Sequence, residues 1–132
     1  MRTANLQDRR VAYAFRAVNT WPKERRKAAV QRVQGLPVEL RNHGLVVTTA
    51  TLMKDGHANL AEIIARWLLE DAPLRPLARW TKAPTGNITR RLLGACVDAN
   101  RTSYLAAQSE ALALTEHIKR FAVALASEDD PR

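Results

Sequence analysis

The sequence predicts an all-α fold, a single compact helical bundle of about six helices with a Pro-rich connector. Apolar side chains recur at i, i+3, i+4 and i+7 along nearly all of the chain, which is the spacing of the buried face of a helix. Aromatic residues number only three Trp, two Tyr and two Phe, while alanine and leucine are abundant, and this composition favours closely packed helices. The β-branched run at residues 46–49 has no second run to pair with, so a strand there would leave backbone groups unsatisfied.

The first two helices flank a break at residues 19–21. Val11, Phe15 and Val18 form the apolar stripe of the first helix, and Pro22 is suited to begin the second. The second helix opens with consecutive charged residues at 23–27 and adds few apolar side chains. One of its faces is therefore expected to lie in water or against a charged partner.

A tight helical corner is predicted at residues 35–44. Gly35 can end the second helix, Pro37 can begin a short one, and Gly44 can adopt the left-handed turn that closes it. The apolar pattern then resumes over residues 45–53. The clearest amphipathic pattern of the chain follows at residues 60–68, with a cap near residues 57–59.

Residues 71–87 form the connector, because prolines and Gly86 interrupt any regular element there. Leu74, Leu77 and Trp80 are expected to pack a turn of this connector onto the core.

Two further helices complete the bundle. Thr85 or Asn87 can cap the fifth, and Asn100 or Thr102 can start the last and longest one. The helical domain is expected to span residues 1–126, with residues 127–132 as a frayed tail.

Positive charge is concentrated in the N-terminal part of the chain. The formal net charge is +8, and residues 1–56 hold 11 Lys/Arg against 4 Asp/Glu, whereas residues 57–132 hold 10 against 9. A lopsided, Arg-rich distribution of this kind indicates a surface that faces a polyanion, although a basic face can also serve solubility alone.

The strongest local signal lies at the start of the second helix. Lys23, Arg26 and Lys27 stand at i, i+3 and i+4 and therefore share a side. Cations are unfavourable at this end of a helix dipole, so the cluster either holds phosphates together with the helix amides or is simply tolerated at low cost. Further basic residues extend the predicted nucleic-acid-binding set, which is Lys23, Arg26, Lys27, Arg41, Arg90, Arg91, Lys119 and Arg120.

Contact with phosphates is expected rather than contact with bases. Large aromatic side chains usually pack inward, and this is the expectation for Trp21, Trp67, Tyr104 and Phe121; the position of Trp80 stays open. Binding should therefore depend on salt and little on nucleotide sequence.

The sequence offers no signature of an active site, and no enzyme activity, metal or cofactor is predicted. His43, His57 and His117 are scattered and match no metal-ligand spacing. No Gly-rich phosphate loop or nucleophile elbow occurs. The single cysteine, Cys96, excludes an internal disulfide and is expected to be a buried structural thiol.

A cytoplasmic location is expected. No apolar run approaches the roughly 20 residues that cross a bilayer, and the N-terminal residues lack the apolar core of a signal peptide.

Two motifs resemble a known family. The first is Leu36-Pro37…Leu40…Asn42-His43-Gly44-Leu45…Thr49…Leu52, and the second is Tyr104…Glu110-Ala111-Leu112-Ala113-Leu114…Ile118-Lys119-Arg120-Phe121-Ala122. In this order, after a basic N-terminal helix, they resemble the small helical subunit of type III-B CRISPR effector complexes, the Cmr group. The family tends to an aromatic residue in place of His117 and to Leu in place of Ile118, and residues 71–100 carry no similar motif.

This resemblance implies a non-catalytic subunit for antiviral defence. Several copies would stack head to tail beside a filament of backbone subunits that holds the guide RNA. The basic face would line the channel where target RNA pairs with the guide, and target cleavage would belong to the backbone subunits. The implied partners are guide RNA, target RNA, the backbone and large subunits and further copies of the chain, with no membrane.

Three other functions stay open at this point. One is a free-standing basic helical DNA-binding protein, such as a regulator or nucleoid factor, with a helix-turn-helix over residues 37–54. The recognition helix of such a protein would carry Val46, Val47 and three threonines, few of which reach bases. Another is an adaptor whose Arg-rich face meets an acidic protein partner. A small enzyme is the third.

Overall fold

The all-α prediction is confirmed in the computed structural model, which describes residues 5–81 and 86–129. Within these ranges the chain forms five α-helices and no strand: α1 (Leu6–Asn19), α2 (Lys23–Lys54), α3 (Ala58–Arg66), α4 (Ile88–Asp98) and α5 (Arg101–Asp129). A π-helical turn, Trp67–Asp71, continues α3, and a 3₁₀ turn spans Ala78–Trp80.

Asparagine side chains cap three of the helices. Asn5 and Asp8 form a reciprocal capping box at the start of α1. The side chain of Asn87 accepts a hydrogen bond from the backbone N–H of Arg90, and that of Asn100 accepts one from Ser103. Of the alternatives that the sequence left open, Asn87 and Asn100 are therefore the residues that cap the last two helices.

The predicted helix boundary at residues 35–37 is wrong. α2 runs without interruption from Lys23 to His43, and Pro37 lies inside it, buried together with Leu36 and Leu40. Proline inside a helix removes one backbone hydrogen bond at a cost of about 3 kcal/mol. Packing of these buried side chains outweighs that cost, so Gly35 and Pro37 do not interrupt the helix.

The break instead occurs at Gly44, where the sequence placed the turn. Gly44 has φ 86° and ψ 168°, a backbone conformation that is almost exclusive to glycine. The helix resumes at Leu45 and ends at Lys54, before Gly56. The corner is therefore one kink in a long helix, without the pair of short helices that a helix-turn-helix over residues 37–54 requires.

The two longest helices form the centre of the bundle. α2 and α5 run antiparallel, since Arg26 contacts Asp129 at one end and Leu45 contacts Gln108 nearer the other. α1 packs along α5. α3 and α4 pack on α2 and on each other. The side chains that these contacts bury completely include Val33, Leu36, Leu40, Leu52, Leu60, Ile64, Leu92, Leu114 and Ile118.

The connector follows the prediction only in part. Leu77 is completely buried and Trp80 half-buried, whereas Leu74 is 67% exposed and does not pack onto the core. Pro84 and Thr85, to which the sequence assigned roles here, lie outside the described residues. α5 continues to Asp129, beyond the predicted domain limit at residue 126.

None of the helices in residues 5–81 and 86–129 combines the length and the apolar character needed to cross a bilayer.

Candidate nucleic-acid interface

Three of the predicted basic residues lie on one side of α2. Arg41 follows Lys23 by 18 residues, which is five helical turns, and Lys27 lies one turn after Lys23. All three side chains are exposed. At a rise of 1.5 Å per residue the stripe is about 27 Å long, so it presents positive charge along an extended path.

A cleft lies between α2 and α5 beside this stripe. Lys23, Lys27 and Val30 line the cleft from α2, and Val123, Ala126, Ser127 and Asp129 line it from α5; its volume is about 420 Å³. Lys119 precedes Val123 by one helical turn and therefore lies on the same side of α5. We refer to Lys23, Lys27, Arg41 and Lys119 as the seam stripe.

Arg26 has a different environment from its two neighbours. Its Nε and Nη2 atoms both donate to the Asp129 carboxylate at 2.8 Å, and Nη1 donates to the carbonyl of Trp21 at 2.9 Å. The side chain is only 13% exposed. Arg26 therefore joins the start of α2 to the end of α5, and a phosphate could use this guanidinium only by displacing Asp129.

Arg120 faces away from Lys119 and lies next to a buried histidine. Its Nη1 atom is 3.3 Å from Nδ1 of His117. Burial lowers the pKa of His117, and the positive charges of Arg120 and Arg10 lower it further. His117 is thus a neutral, buried part of the packing between α1 and α5.

Arg90 and Arg91 belong to another part of the bundle. They lie in the first turn of α4, which packs mainly on α2 and α3 rather than on α5. Arg90 is exposed, whereas Arg91 is half-buried and its Nε atom has no hydrogen-bond partner among the described residues. The structure therefore does not join these two arginines to the seam stripe.

Several other arginines are neutralised by carboxylates. Arg10 donates to both oxygens of Glu110, and Nε1 of Trp67 donates to the same carboxylate at 3.0 Å. Arg32 pairs with Glu39, and Arg66 pairs with Glu62 and Glu70. The net charge of +8 thus acts through fewer free cations than the sequence suggests.

Hydrogen bonds and a neighbouring positive charge keep the buried side chain of Glu110 ionised. Burial alone would raise its pKa, but the hydrogen bonds from Arg10 and Trp67 and the positive charge of Arg10 outweigh burial, so the pKa lies below its ordinary value. Glu110 is therefore an ionised link between α1, α5 and the π-helical turn.

A second set of basic residues, which was not predicted from the sequence, lies on the bundle's first two helices. Arg9 and Arg16 lie two turns apart on α1, and with Arg25 they line a groove of about 930 Å³ that runs between α1 and α3. All three are exposed and form no ion pair with any described residue. The i, i+7 spacing of Arg9 and Arg16 on α1 can be read from the sequence, but only the structure shows that α3 faces them.

Trp21, Trp67, Tyr104 and Phe121 pack inward as predicted, whereas Phe15 is 40% exposed. Trp21 and Trp67 are buried, and Tyr104 and Phe121 are half-buried against the core. Trp80 is also half-buried, with the Arg79 guanidinium 5.6 Å from the centre of its ring. Among the described residues, no three His, Cys, Asp or Glu side chains converge in a way that could hold a metal ion.

The two motifs that resemble the Cmr small subunit meet in space. The break at Gly44 lies in the first motif, and Tyr104, which begins the second, bonds to the backbone just after that break. Comparison with protein families gives a match to the model described as CRISPR-associated protein (Cas_Cmr5) over residues 6–125. The chain belongs to the Cmr5 family. It is therefore a small subunit of type III-B CRISPR (Cmr) systems and associates with other subunits of a Cmr complex.

The family match covers almost the entire described structure, including α4 and the connector, where the sequence showed no motif similar to the family. No curated protein and no solved structure gives a significant match to this Cmr5-family chain.

Proposed function

We propose that this Cmr5-family chain is a non-catalytic subunit that stacks along the backbone filament and stabilises the path of guide and target RNA through the seam stripe. Cations along this path offset the repulsion between the phosphates of the two paired strands. The large and backbone subunits and further copies of the chain are its protein partners in this proposal.

The observation that carries the proposal is the alignment of Lys23, Lys27 and Arg41 on one side of α2, with Lys119 on the side of α5 that bears Val123. A linear array of exposed cations about 27 Å long suits the regular spacing of a nucleic-acid backbone. Arg26, Arg90, Arg91 and Arg120 stay predictions as RNA contacts, and the geometry above makes them secondary to the stripe.

A reconstituted Cmr complex tests the stripe. We expect the Lys23→Ala/Lys27→Ala/Arg41→Ala subunit to assemble normally and to weaken target-RNA binding about tenfold at low salt. Each lost phosphate contact should also reduce the slope of log K against log salt by roughly 0.7 to 0.9. Filter binding at several KCl concentrations measures both quantities.

The matched control removes the same charge from other exposed positions, with Lys54, Arg75 and Arg101 changed to Ala. We expect this control to bind target RNA like the wild type. Equal weakening by the two triple variants would mean that total charge matters and the stripe does not, and unchanged binding by the stripe variant would remove it from the RNA path.

We also infer that target cleavage belongs to other subunits. The best-shielded carboxylate, Glu110, is held by Arg10 and Trp67, and burial raises the pKa of the Cys96 thiol to about 12. Neither group is available as a nucleophile or a general base. Labelled target RNA incubated with the purified chain and Mg²⁺ should stay intact, and cleavage that survives repurification would contradict this inference.

A further inference from the structure

The groove of about 930 Å³ between α1 and α3 lies apart from the seam stripe. Arg25 follows Lys23 by two residues and therefore points roughly 200° around α2 from it. The basic start of α2 thus serves two different surfaces, with Lys23 and Lys27 at the seam and Arg25 at the groove.

The floor of the groove is apolar and held in place. Ala12 and Ala17 contribute small side chains from α1, and Ile63 contributes from α3. Between them the hydroxyl of Tyr13 donates to the carbonyl of Ile63 at 2.5 Å, and the Tyr13 ring lies 4.9 Å from that of Trp67. These contacts fix α1 and α3 at a separation that leaves an open channel above the small residues.

The two walls carry different charge. The α1 wall presents Arg9 and Arg16 beside a single carboxylate, Asp8, with Arg25 at its end, and none of the three arginines pairs with a described carboxylate. The α3 wall presents Glu62 and Asp71, and its one arginine, Arg66, is already paired with Glu62 and Glu70. A polyanion such as RNA would meet Glu62 and Asp71 on one wall, Asp8 on the other and an apolar floor between them.

We propose that this groove is the docking site for an acidic amphipathic α-helix of a partner protein. Both walls are helices that display residues at i, i+3, i+4 and i+7, so the channel has the geometry into which a third helix packs. The apolar face of the partner helix covers the floor, and acidic side chains on one flank meet the three free arginines. Arg9 and Arg16 are about 10.5 Å apart along α1, which matches acidic residues two turns apart on the partner.

The proposal concerns a surface that the proposed RNA contact does not use, so the two can fail independently. The test places the photo-crosslinking residue p-benzoylphenylalanine at position 20, an exposed position that lines the groove, in the full chain and assembles it into the Cmr complex. Mass spectrometry of the cross-linked product should identify a helical segment of a partner protein with acidic residues flanking an apolar face. A cross-link to RNA, a cross-link to a segment without acidic side chains, or no cross-link overturns the proposal.

A charge-reversed groove gives the second measurement. Arg9→Glu/Arg16→Glu should reduce the cross-link yield at position 20 at least fivefold, while thermal unfolding shows that the chain still folds. The matched control, Arg75→Glu/Arg101→Glu, makes the same charge change outside the groove and should leave the yield unchanged. Equal yields from the groove variant and the wild type, or an equal loss with the control, overturn the proposal. Target-RNA binding in the same complexes reports separately on the seam stripe.

Discussion

The phenol oxygen of Tyr104 on α5 accepts a hydrogen bond of 3.2 Å from the backbone N–H of Val46, directly after the break in α2. Gln108, one turn along α5, accepts a second from the N–H of Leu45 at 3.0 Å. The backbone N–H groups at a helix start lack partners within their own helix. Two side chains that lie about 60 residues away in the sequence therefore cap the second half of α2.

Gly44 makes this arrangement possible, and replacing it should be costly. A Cβ atom on Gly44 would lie 3.1 Å from Tyr104 Oη and 3.2 Å from Gln108 Oε1, and φ of +86° is unfavourable for any L side chain. We expect Gly44→Ala to lower the free energy of unfolding by about 1–3 kcal/mol. Urea denaturation followed by circular dichroism measures it.

Gly35 is the matched control for this prediction. It lies in the helical part of α2, and a Cβ there meets nothing within 4 Å. Gly35→Ala should raise the free energy of unfolding by about 0.5–1 kcal/mol, because alanine favours the helix. We therefore predict that the free energy of unfolding changes in opposite directions in the two variants. A Gly44→Ala protein as stable as the wild type would contradict the capping described here.

The ion pair between Arg10 of α1 and Glu110 of α5 is the basis of the second prediction. Glu110 accepts hydrogen bonds from Arg10 and Trp67, and its side chain is only 8% exposed. Glu110→Leu leaves the Arg10 charge and the Trp67 N–H without their partner, and breaking such a pair costs about 3–5 kcal/mol. We expect a loss near the lower end of that range, measured by urea denaturation, because Arg10 is partly exposed.

Glu62 is the control for Glu110. It pairs with Arg66 on the surface, where both side chains are about half exposed. Glu62→Leu removes a pair worth at most about 1 kcal/mol, so its effect on unfolding should be much smaller. Similar losses for the two variants would show that Glu110 does not hold the three elements together.

The fold was largely predictable because helix periodicity is a local property of the sequence. Asn87 and Asn100 cap through neighbouring residues, and the sequence offered each of them as one of two possible caps. It also placed a turn at Gly44, although as the end of a short helix and not as a kink in a long one. The helix boundary predicted at Pro37 is wrong because the cost of proline to a helix is local, whereas the burial that offsets this cost depends on distant parts of the chain.

The surface was harder to predict than the fold. The pairing of Arg26 with Asp129 joins residues 103 positions apart, and the pairing of Arg10 with Glu110 joins residues 100 positions apart. Such pairs decide which cations stay free, and residue spacing on one helix contains no information about them. The i, i+18 relation between Lys23 and Arg41 was available in the sequence, but only with the knowledge that α2 continues through Pro37.

The third prediction concerns Cys96. Burial raises the pKa of its thiol to about 12, and only the thiolate reacts with alkylating agents. At pH 8 iodoacetamide should modify the native chain at least about a hundredfold more slowly than the chain unfolded in guanidinium. Mass spectrometry of quenched samples measures both rates, and comparable rates would mean that α4 opens readily at this position.

The fourth prediction is a pH dependence of stability that arises at His117. Its pKa in the folded chain is lowered by burial and by the charges of Arg120 and Arg10, with Glu116 acting weakly in the opposite direction. At pH 8 the imidazole is neutral in both states. As the pH falls through the ordinary value of about 6.5, the unfolded chain binds a proton that the folded chain does not. The free energy of unfolding therefore decreases until the lower folded pKa is reached.

Urea denaturation at pH 8, 7, 6 and 5 should show this decrease in the wild-type chain. His117→Gln removes the titrating group at similar size, so its stability should change less between pH 7 and pH 5, whatever its absolute value. The surface variant His43→Gln is the control, since His43 is exposed, and it should retain the wild-type slope. If His117→Gln keeps the full slope as well, the proton uptake belongs to another group. The neutral imidazole between α1 and α5 is then not the cause of the lower free energy of unfolding at acid pH.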